Sequence, residues 1–272
     1  MSIPVLLDDK WSKSLNKECL TGEFPFSHLI LDEFLEEQRA KSLVSAFPNE
    51  DSSWISYIHY NERKYGLSER SKIANEILTV IDELNSPNFL KWLGNQFGII
   101  GLVADTDLNG GGLHLMPRNS FLNIHTDFNV HPKIHHLKRR LNLILFLNEN
   151  WKEEYNGALE FWKGDMSVCA KTIMPDFNKC VIFETNNTSF HGCPEPIKCP
   201  DNMSRKSIAL YYYTYENKKP RKRFTNYRST KSSLVHKSLV YLDKKLVHLY
   251  SHIKYNGGLN DSWISKLLRI FK

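Results

Sequence analysis

Two residue types that bind metal ions stand two positions apart at His125 and Asp127, inside the run Phe-Leu-Asn-Ile-His-Thr-Asp over 121–127. The run reads as a strand, and side chains two apart on a strand share a face. One imidazole and one carboxylate there can reach a single ion from one side. A second histidine from elsewhere would complete a set of two imidazoles and one carboxylate. Such a set leaves coordination positions open on the far side and suits ferrous iron that must bind a co-substrate and oxygen together. With 11 His and 13 Asp in 272 residues, composition alone supplies about 0.5 such pairs, so the pair gains meaning only from its context.

His191 is the candidate for the third ligand. It lies in Ser189-Phe190-His191-Gly192-Cys193-Pro194, just past an apolar run, and a histidine followed by glycine at a strand edge can approach a metal without crowding. The competing reading is an ordinary turn histidine. Arg205-Lys206-Ser207 then opens the last apolar strand. An arginine entering a barrel interior is costly unless paired, and a carboxylate ligand would pair it. The alternative is an ion pair with Glu160 or Glu184. Asn142 alternates with Leu141 and Leu143, which points its amide into the same interior, within reach of a co-substrate.

The elements that must position these residues follow from periodicity. A short strand precedes a helix that Asp32 can cap and that ends near Phe47-Pro48. A second helix over 71–84 spaces Ile73, Ile77, Val80, Ile81 and Leu84 along one stripe. A third takes Ser86 as cap and Pro87 in its first turn and stops at Gly98. From Ile99 the texture changes to short apolar runs at 113–116, 121–127, 141–147, 158–162, 180–184 and 207–215, broken by Asn-Gly and Gly-rich turns. Many short strands behind amphipathic helices indicate a sandwich or barrel with helices on one outer face. On the last strand Ile208, Leu210 and Tyr212 are expected against the helices, with Arg205, Ser207, Ala209 and Tyr211 facing inward.

A hydrophobic share of 41% fits a folded protein of one domain plus an appendage. No apolar stretch is long enough to cross a membrane, no N-terminal run reads as a signal peptide, and the five scattered cysteines contain no CxxC, so reduced thiols in the cytoplasm are expected. Charge is divided unevenly. Residues 217–272 carry 14 Lys/Arg against Asp243 and Asp261, a balance of +12 that leaves −6 for the rest. The division expected is therefore a body over 1–217, with its barrel from about 99, and a basic helical extension over 218–272. That extension holds a helix near 232–253 striped by Val235, Leu239, Leu242, Leu246 and Leu249. A final helix follows, capped by Asn260 or Asp261, with Trp263, Ile264, Leu267, Leu268 and Phe271 on one side. The extension is expected to fold on the body and to present a basic face to an anionic partner or membrane surface.

Taken in order, His-x-Asp, a long sheet segment, His-Gly and Arg-x-Ser on the last strand, the sequence resembles the 2-oxoglutarate- and Fe(II)-dependent oxygenases, in particular the prolyl 4-hydroxylase-like branch and its bacterial members. The resemblance includes Pro25-Phe26-Ser27-His28, Gly111-Gly112-Leu113-His114 and Asp127-Phe128-Asn129. It continues through Arg139-Arg140-Leu141-Asn142-Leu143 with Phe146-Leu147-Asn148, and Tyr211-Tyr212-Tyr213. It covers roughly 24–216, and the extension has no counterpart in it. The fold it implies is mainly β with flanking helices: a double-stranded β-helix, or jelly roll, core with N-terminal amphipathic helices and, beyond the resemblance, the C-terminal helical extension. It implies iron on His125, Asp127 and His191, and the distal carboxylate of 2-oxoglutarate on Arg205 with Ser207 as a weaker contact. Prolyl hydroxylases commonly use a lysine nearer the distal histidine; here an arginine stands farther on, after an insertion containing Cys199 and Pro200. The implied reaction consumes O2 and 2-oxoglutarate, releases succinate and CO2, and hydroxylates a C–H bond of a peptidyl proline, an amino acid or a small metabolite, with ascorbate keeping the iron reduced. A reading of another class stays open from the sequence: a non-enzymatic jelly-roll module that binds an anionic partner through its basic tail.

Overall fold

A computed structural model of the chain describes residues 22–231 and 233–257. The expected final helix around Trp263 and Phe271 lies outside the described residues. Strand β7 (Leu137–Phe146) shows why the sheet is covered on both sides. Its Leu141, Leu143 and Leu145 point one way and Asn142, Ile144 and Phe146 the other, and all but Ile144 are buried.

Around β7 the other strands are β1 (His28–Leu31), β2 (Ile55–His59), β3 (Glu62–Leu67), β4 (Leu102–Ala104), β5 (Gly112–Pro117) and β6 (Phe121–Thr126). Then come β8 (Leu159–Trp162), β9 (Cys169–Ile173), β10 (Lys179–Glu184), β11 (Phe190–Cys193), β12 (Ser204–Tyr215) and β13 (Asn226–Tyr227). They form one curled antiparallel sheet in the order β1-β10-β7-β12-β5-β3-β6-β11-β8-β9, with β2 on β3, β4 on β12 and β13 on β6.

Helices α1 (Glu37–Ala46), α2 (Asn75–Leu84) and α3 (Pro87–Phe97) cover the outer face. Leu43, Ile77, Ile81, Leu84 and Phe89 pack there with Leu143, Ile208, Leu210 and Tyr212, and the Tyr212 hydroxyl closes the contact by donating to the Leu84 carbonyl at 3.0 Å. The inner face holds a separate cluster of Phe26, Phe146, Phe161, Val181 and Phe183. Ser86 caps α3 by accepting from the Phe89 amide, and Gly98 ends it in the left-handed region at φ 63°. Helix α1 starts later than Asp32 suggests: Glu36 is the cap and accepts from the Gln38 and Arg39 amides.

Six strands have no sharp sequence signal. The β2–β3 hairpin is half-buried and rich in charge, so it lacks an apolar alternation, β4, β9 and β13 are short and partly exposed, and β11 carries the Gly192 that reads as a turn. Helix α4 (Leu234–Gly257) also departs from expectation. Its stripe of Val235, Leu239, Leu242, Leu246 and Leu249 is exposed; the helix buries Val240 and Asp243 against the body and adds hydrogen bonds from His236, Lys244 and His248. Asp243 accepts from the Asn61 amide nitrogen at 2.6 Å and from His59 at 2.7 Å, so a polar anchor replaces the apolar one. Among the described residues no helix is long and apolar enough to cross a membrane.

Candidate metal centre

Strands β6 and β11 pair so that His125 and His191 face each other across the ladder, with ring centroids 4.5 Å apart. Gly192 permits this. A Cβ there would lie 2.7 Å from the Leu122 carbonyl oxygen and 2.9 Å from that of Asn123, so only glycine lets β11 come this close to β6. The glycine that reads as room for a metal is thus first a requirement of strand approach.

Each ring is oriented through its Nδ1, which donates to a carbonyl two residues back: His125 to Asn123 at 2.9 Å and His191 to Ser189 at 3.0 Å. A carbonyl can only accept, so Nδ1 carries the proton and Nε2 keeps its lone pair. Those Nε2 atoms lie 3.5 and 3.4 Å from the two oxygens of Asp127, and one ligand atom from each of the three residues falls within 4.8 Å of the others. Burial holds His191 down to about 4 despite the neighbouring carboxylate, which keeps its imidazole neutral near pH 7. For Asp127 burial pushes the pKa up, but the Arg139 guanidinium beside it overcomes this and holds the carboxyl well below its usual range. Two imidazole nitrogens and one anionic oxygen on one side of a cavity fit a divalent transition ion.

Asp127 is fixed from behind by two groups. Arg139, 1% exposed, donates to its Oδ2 at 3.2 Å, and the Asn142 amide donates to the same oxygen at 2.6 Å. Arg139 Nε also donates to Asn142 Oδ1 at 2.7 Å, and its guanidinium lies 3.4 Å from the Tyr211 ring centroid and 4.6 Å from that of Phe128. Asn142 therefore does point inward, but its amide is engaged by Asp127 and Arg139 instead of standing free for a co-substrate. The sequence reading missed Arg139 because two arginines adjoin there; the signal available was that only one of such a pair can face the interior.

Arg205 and Ser207 share the inner face of β12. Arg205 is buried, donates from Nε to the Gly157 carbonyl at 2.7 Å and from Nη1 to the Met116 sulfur at 3.4 Å, and lies over the Phe146 ring. Among the described residues no carboxylate forms an ion pair with it, neither Glu160 nor Glu184. Ser207 Oγ is buried with no hydrogen-bond partner. A guanidinium and a hydroxyl left open side by side fit the free carboxylate of a dicarboxylic acid. A cavity of about 210 Å³ opens above the triad, lined by His125, Asp127, Lys64, His114, Tyr211 and Tyr227 among others. A larger cleft of about 620 Å³ shares its wall residues Ile58 and His59.

The model of the 2OG-Fe(II) oxygenase superfamily matches residues 111–213, which contain the triad, Asn142, Arg205 and Ser207. The chain is 26% identical over 196 residues to the prolyl 3-hydroxylase OGFOD1 of Mus musculus, an alignment covering 70% of this chain and 33% of that protein, so the chain spans about a third of the length of the curated relative it matches. Among solved structures it resembles a prolyl hydroxylase from Trichoplax adhaerens, determined in complex with a hypoxia inducible factor oxygen degradation domain peptide fragment. That likeness has a TM-score of 0.52 at 14% identity over 75% of this chain and 91% of the other, and it carries the fold, a jelly roll. The three residues that could hold a metal ion lie together within the stretch that matches the 2OG-Fe(II) oxygenase superfamily, and the chain is similar to prolyl hydroxylases in sequence and in fold.

Proposed function

We propose that this enzyme hydroxylates a prolyl residue carried on a polypeptide, with His125, Asp127 and His191 holding Fe(II) and with Arg205 and Ser207 holding the distal carboxylate of 2-oxoglutarate. The observation that carries the reading is the convergence of the two free Nε2 atoms and one Asp127 oxygen beside an open cavity. The substrate is inferred from the relatives, a prolyl 3-hydroxylase and a prolyl hydroxylase with a peptide. Bound iron and 2-oxoglutarate supply the oxygen chemistry, in which one oxygen atom of O2 enters succinate and the other the hydroxylated C–H bond, with release of CO2.

The chain's own residues bind and orient. The two backbone carbonyls behind His125 and His191 fix the tautomers, and Arg139 with Asn142 occupies Oδ2 of Asp127, leaving Oδ1 as the ligand atom. Arg205 and Ser207 set the depth at which the dicarboxylate sits. The apolar inner cluster below them excludes water from the acid's carbon chain. The reading extends to ascorbate as reductant of over-oxidised iron, to a cytoplasmic location consistent with the four free described cysteines, and to an anionic partner met by the exposed Lys218, Lys219, Arg221 and Arg228.

The test is anaerobic loading with Fe(II), addition of O2, ascorbate and 2-oxoglutarate, and quantitation of succinate with and without pooled proline-centred peptides. Succinate formation that the pools stimulate, with one oxygen atom gained on proline, is expected. Turnover that no pool stimulates would remove the prolyl substrate, and no succinate at all would remove the enzymatic reading.

A further inference from the structure

We infer that the C-terminal segment beyond the matched family region completes the metal centre, with Tyr227 as a positioning residue for His125. The inference rests on the reading of His125, Asp127 and His191 as metal ligands. The family model ends at residue 213, yet the chain returns to the site after it. Strand β13 pairs with β6, the ligand-bearing strand, with Tyr227 opposite His125 and Asn226 opposite Thr126, and the Arg228 amide donates to the Ile124 carbonyl at 2.8 Å. His125 is thus clasped between β11 on one side and β13 on the other.

The Tyr227 ring lies 5.4 Å from the His125 ring, so the imidazole has Tyr227 and His191 for neighbours and little freedom to turn about its Nδ1 hydrogen bond. Tyr227 is itself held, because its hydroxyl donates to Glu62 Oε2 at 2.9 Å. Glu62 is bound by Lys64 at 2.8 Å and by His59, and His59 is bound in turn by Asp243 of helix α4. One chain of buried contacts therefore runs from the helix of the extension to a metal ligand. A second clasp lies on the carboxylate-bearing residue two positions on: Arg223 Nη2 donates to the backbone carbonyls of Asp127 and Asn186. Thr225 and Val247 finish the wall of the 210 Å³ cavity. Partners that fix a ligating histidine commonly change metal affinity 10- to 100-fold.

Co(II) serves as the probe, added to the full-length metal-free protein, with affinity read by titration and coordination by the visible absorption band. Tyr227→Leu is expected to weaken Co(II) binding about 10-fold and to alter the band, while Tyr227→Phe, which keeps the ring, restores both. Leu249→Ser, on the exposed face of α4, should match the wild type. Wild-type affinity and band in Tyr227→Leu would overturn the inference, as would a Tyr227→Phe as defective as Tyr227→Leu. Should Tyr227→Leu fail to fold, Asp243→Ala takes its place. It is expected to speed amide exchange in β6 and β13 together and to weaken Co(II), and unchanged exchange and affinity would overturn the inference. His125→Ala and Asp127→Ala separate the two levels: Co(II) affinity unchanged in both sinks the ligand reading itself, whereas its loss there with none in Tyr227→Leu sinks only the role of the C-terminal segment.

Discussion

Two arginines are buried in the inner face of this barrel, and they are treated oppositely. Arg139 is enclosed by a carboxylate, an amide and two aromatic rings, whereas Arg205 has one carbonyl, a thioether and a ring but, among the described residues, no anion. The first belongs to a site finished by folding, and its charge is compensated within the chain. The second is a charge that folding leaves open, and the proposed dicarboxylate would complete it. Arg139 is compensated within the fold; Arg205 keeps a charge that only a group from outside the described residues could pair.

Removing a partner should expose this difference, most strongly at the finished site. Arg139→Met leaves the Asp127 carboxylate buried without its main counter-charge and should cost about 3–5 kcal/mol of stability in urea unfolding of the metal-free protein. A loss below 1 kcal/mol would erase the contrast. Arg205→Ala should act the other way round. The ligand-free protein is expected to unfold within about 1 kcal/mol of wild type, while the 2-oxoglutarate concentration for half-maximal turnover rises roughly 10- to 150-fold, the equivalent of about 1.5–3 kcal/mol for a charge-assisted bond. An unchanged requirement would move the carboxylate elsewhere.

Ser207→Ala sharpens the same point at lower amplitude. Its hydroxyl has no partner to lose, so stability should hold while the 2-oxoglutarate requirement rises about 2- to 10-fold, measured by succinate release against co-substrate concentration. A pH-dependent effect is expected at the other compensated cluster, His59 with Glu62 and Asp243. Burial alone would lower the His59 pKa, but the two carboxylates raise it to about 9 from the ordinary 6.5. A raised folded-state pKa means the contribution is fully present below pH 6.5 and is lost as pH rises through about 9. Unfolding midpoints followed from pH 6 to 10 should therefore fall in the wild type and lie flatter in His59→Gln. The fall is partial because Glu62 keeps Lys64 and Tyr227, and Asp243 keeps Asn61, after His59 loses its proton. A wild-type profile as flat as that of His59→Gln would remove the cluster from the compensated class.

The chain's chemistry was legible wherever it depends on local period. Alternation along β7 and β12 separates the helix-facing Leu143, Ile208 and Tyr212 from the inward Asn142, Arg205 and Ser207, and this needs only the two-residue repeat of a strand. The order His-x-Asp, His-Gly, Arg-x-Ser likewise survives any loop length between its parts. Capping and stopping of α3 by Ser86 and Gly98 are local too. What the sequence could not settle is which buried polar groups find partners. Asn142 meets Asp127 only because two strands curl toward each other, and Arg205 misses Glu160 and Glu184 only because neither is placed to reach it.

The C-terminal segment marks the limit most clearly. By itself its sequence determines a basic linker and an amphipathic helix, and its period marks the leucine stripe as the surface to bury. Tertiary structure instead buries Val240 and Asp243, leaves the stripe exposed and threads Tyr227 beside His125. The physical reason is that a helix docks where its partner surface can satisfy it. A hairpin offering His59 and Asn61 satisfies a carboxylate better than a row of leucines, and that complementarity between residues 182 and 184 positions apart is invisible to any local pattern.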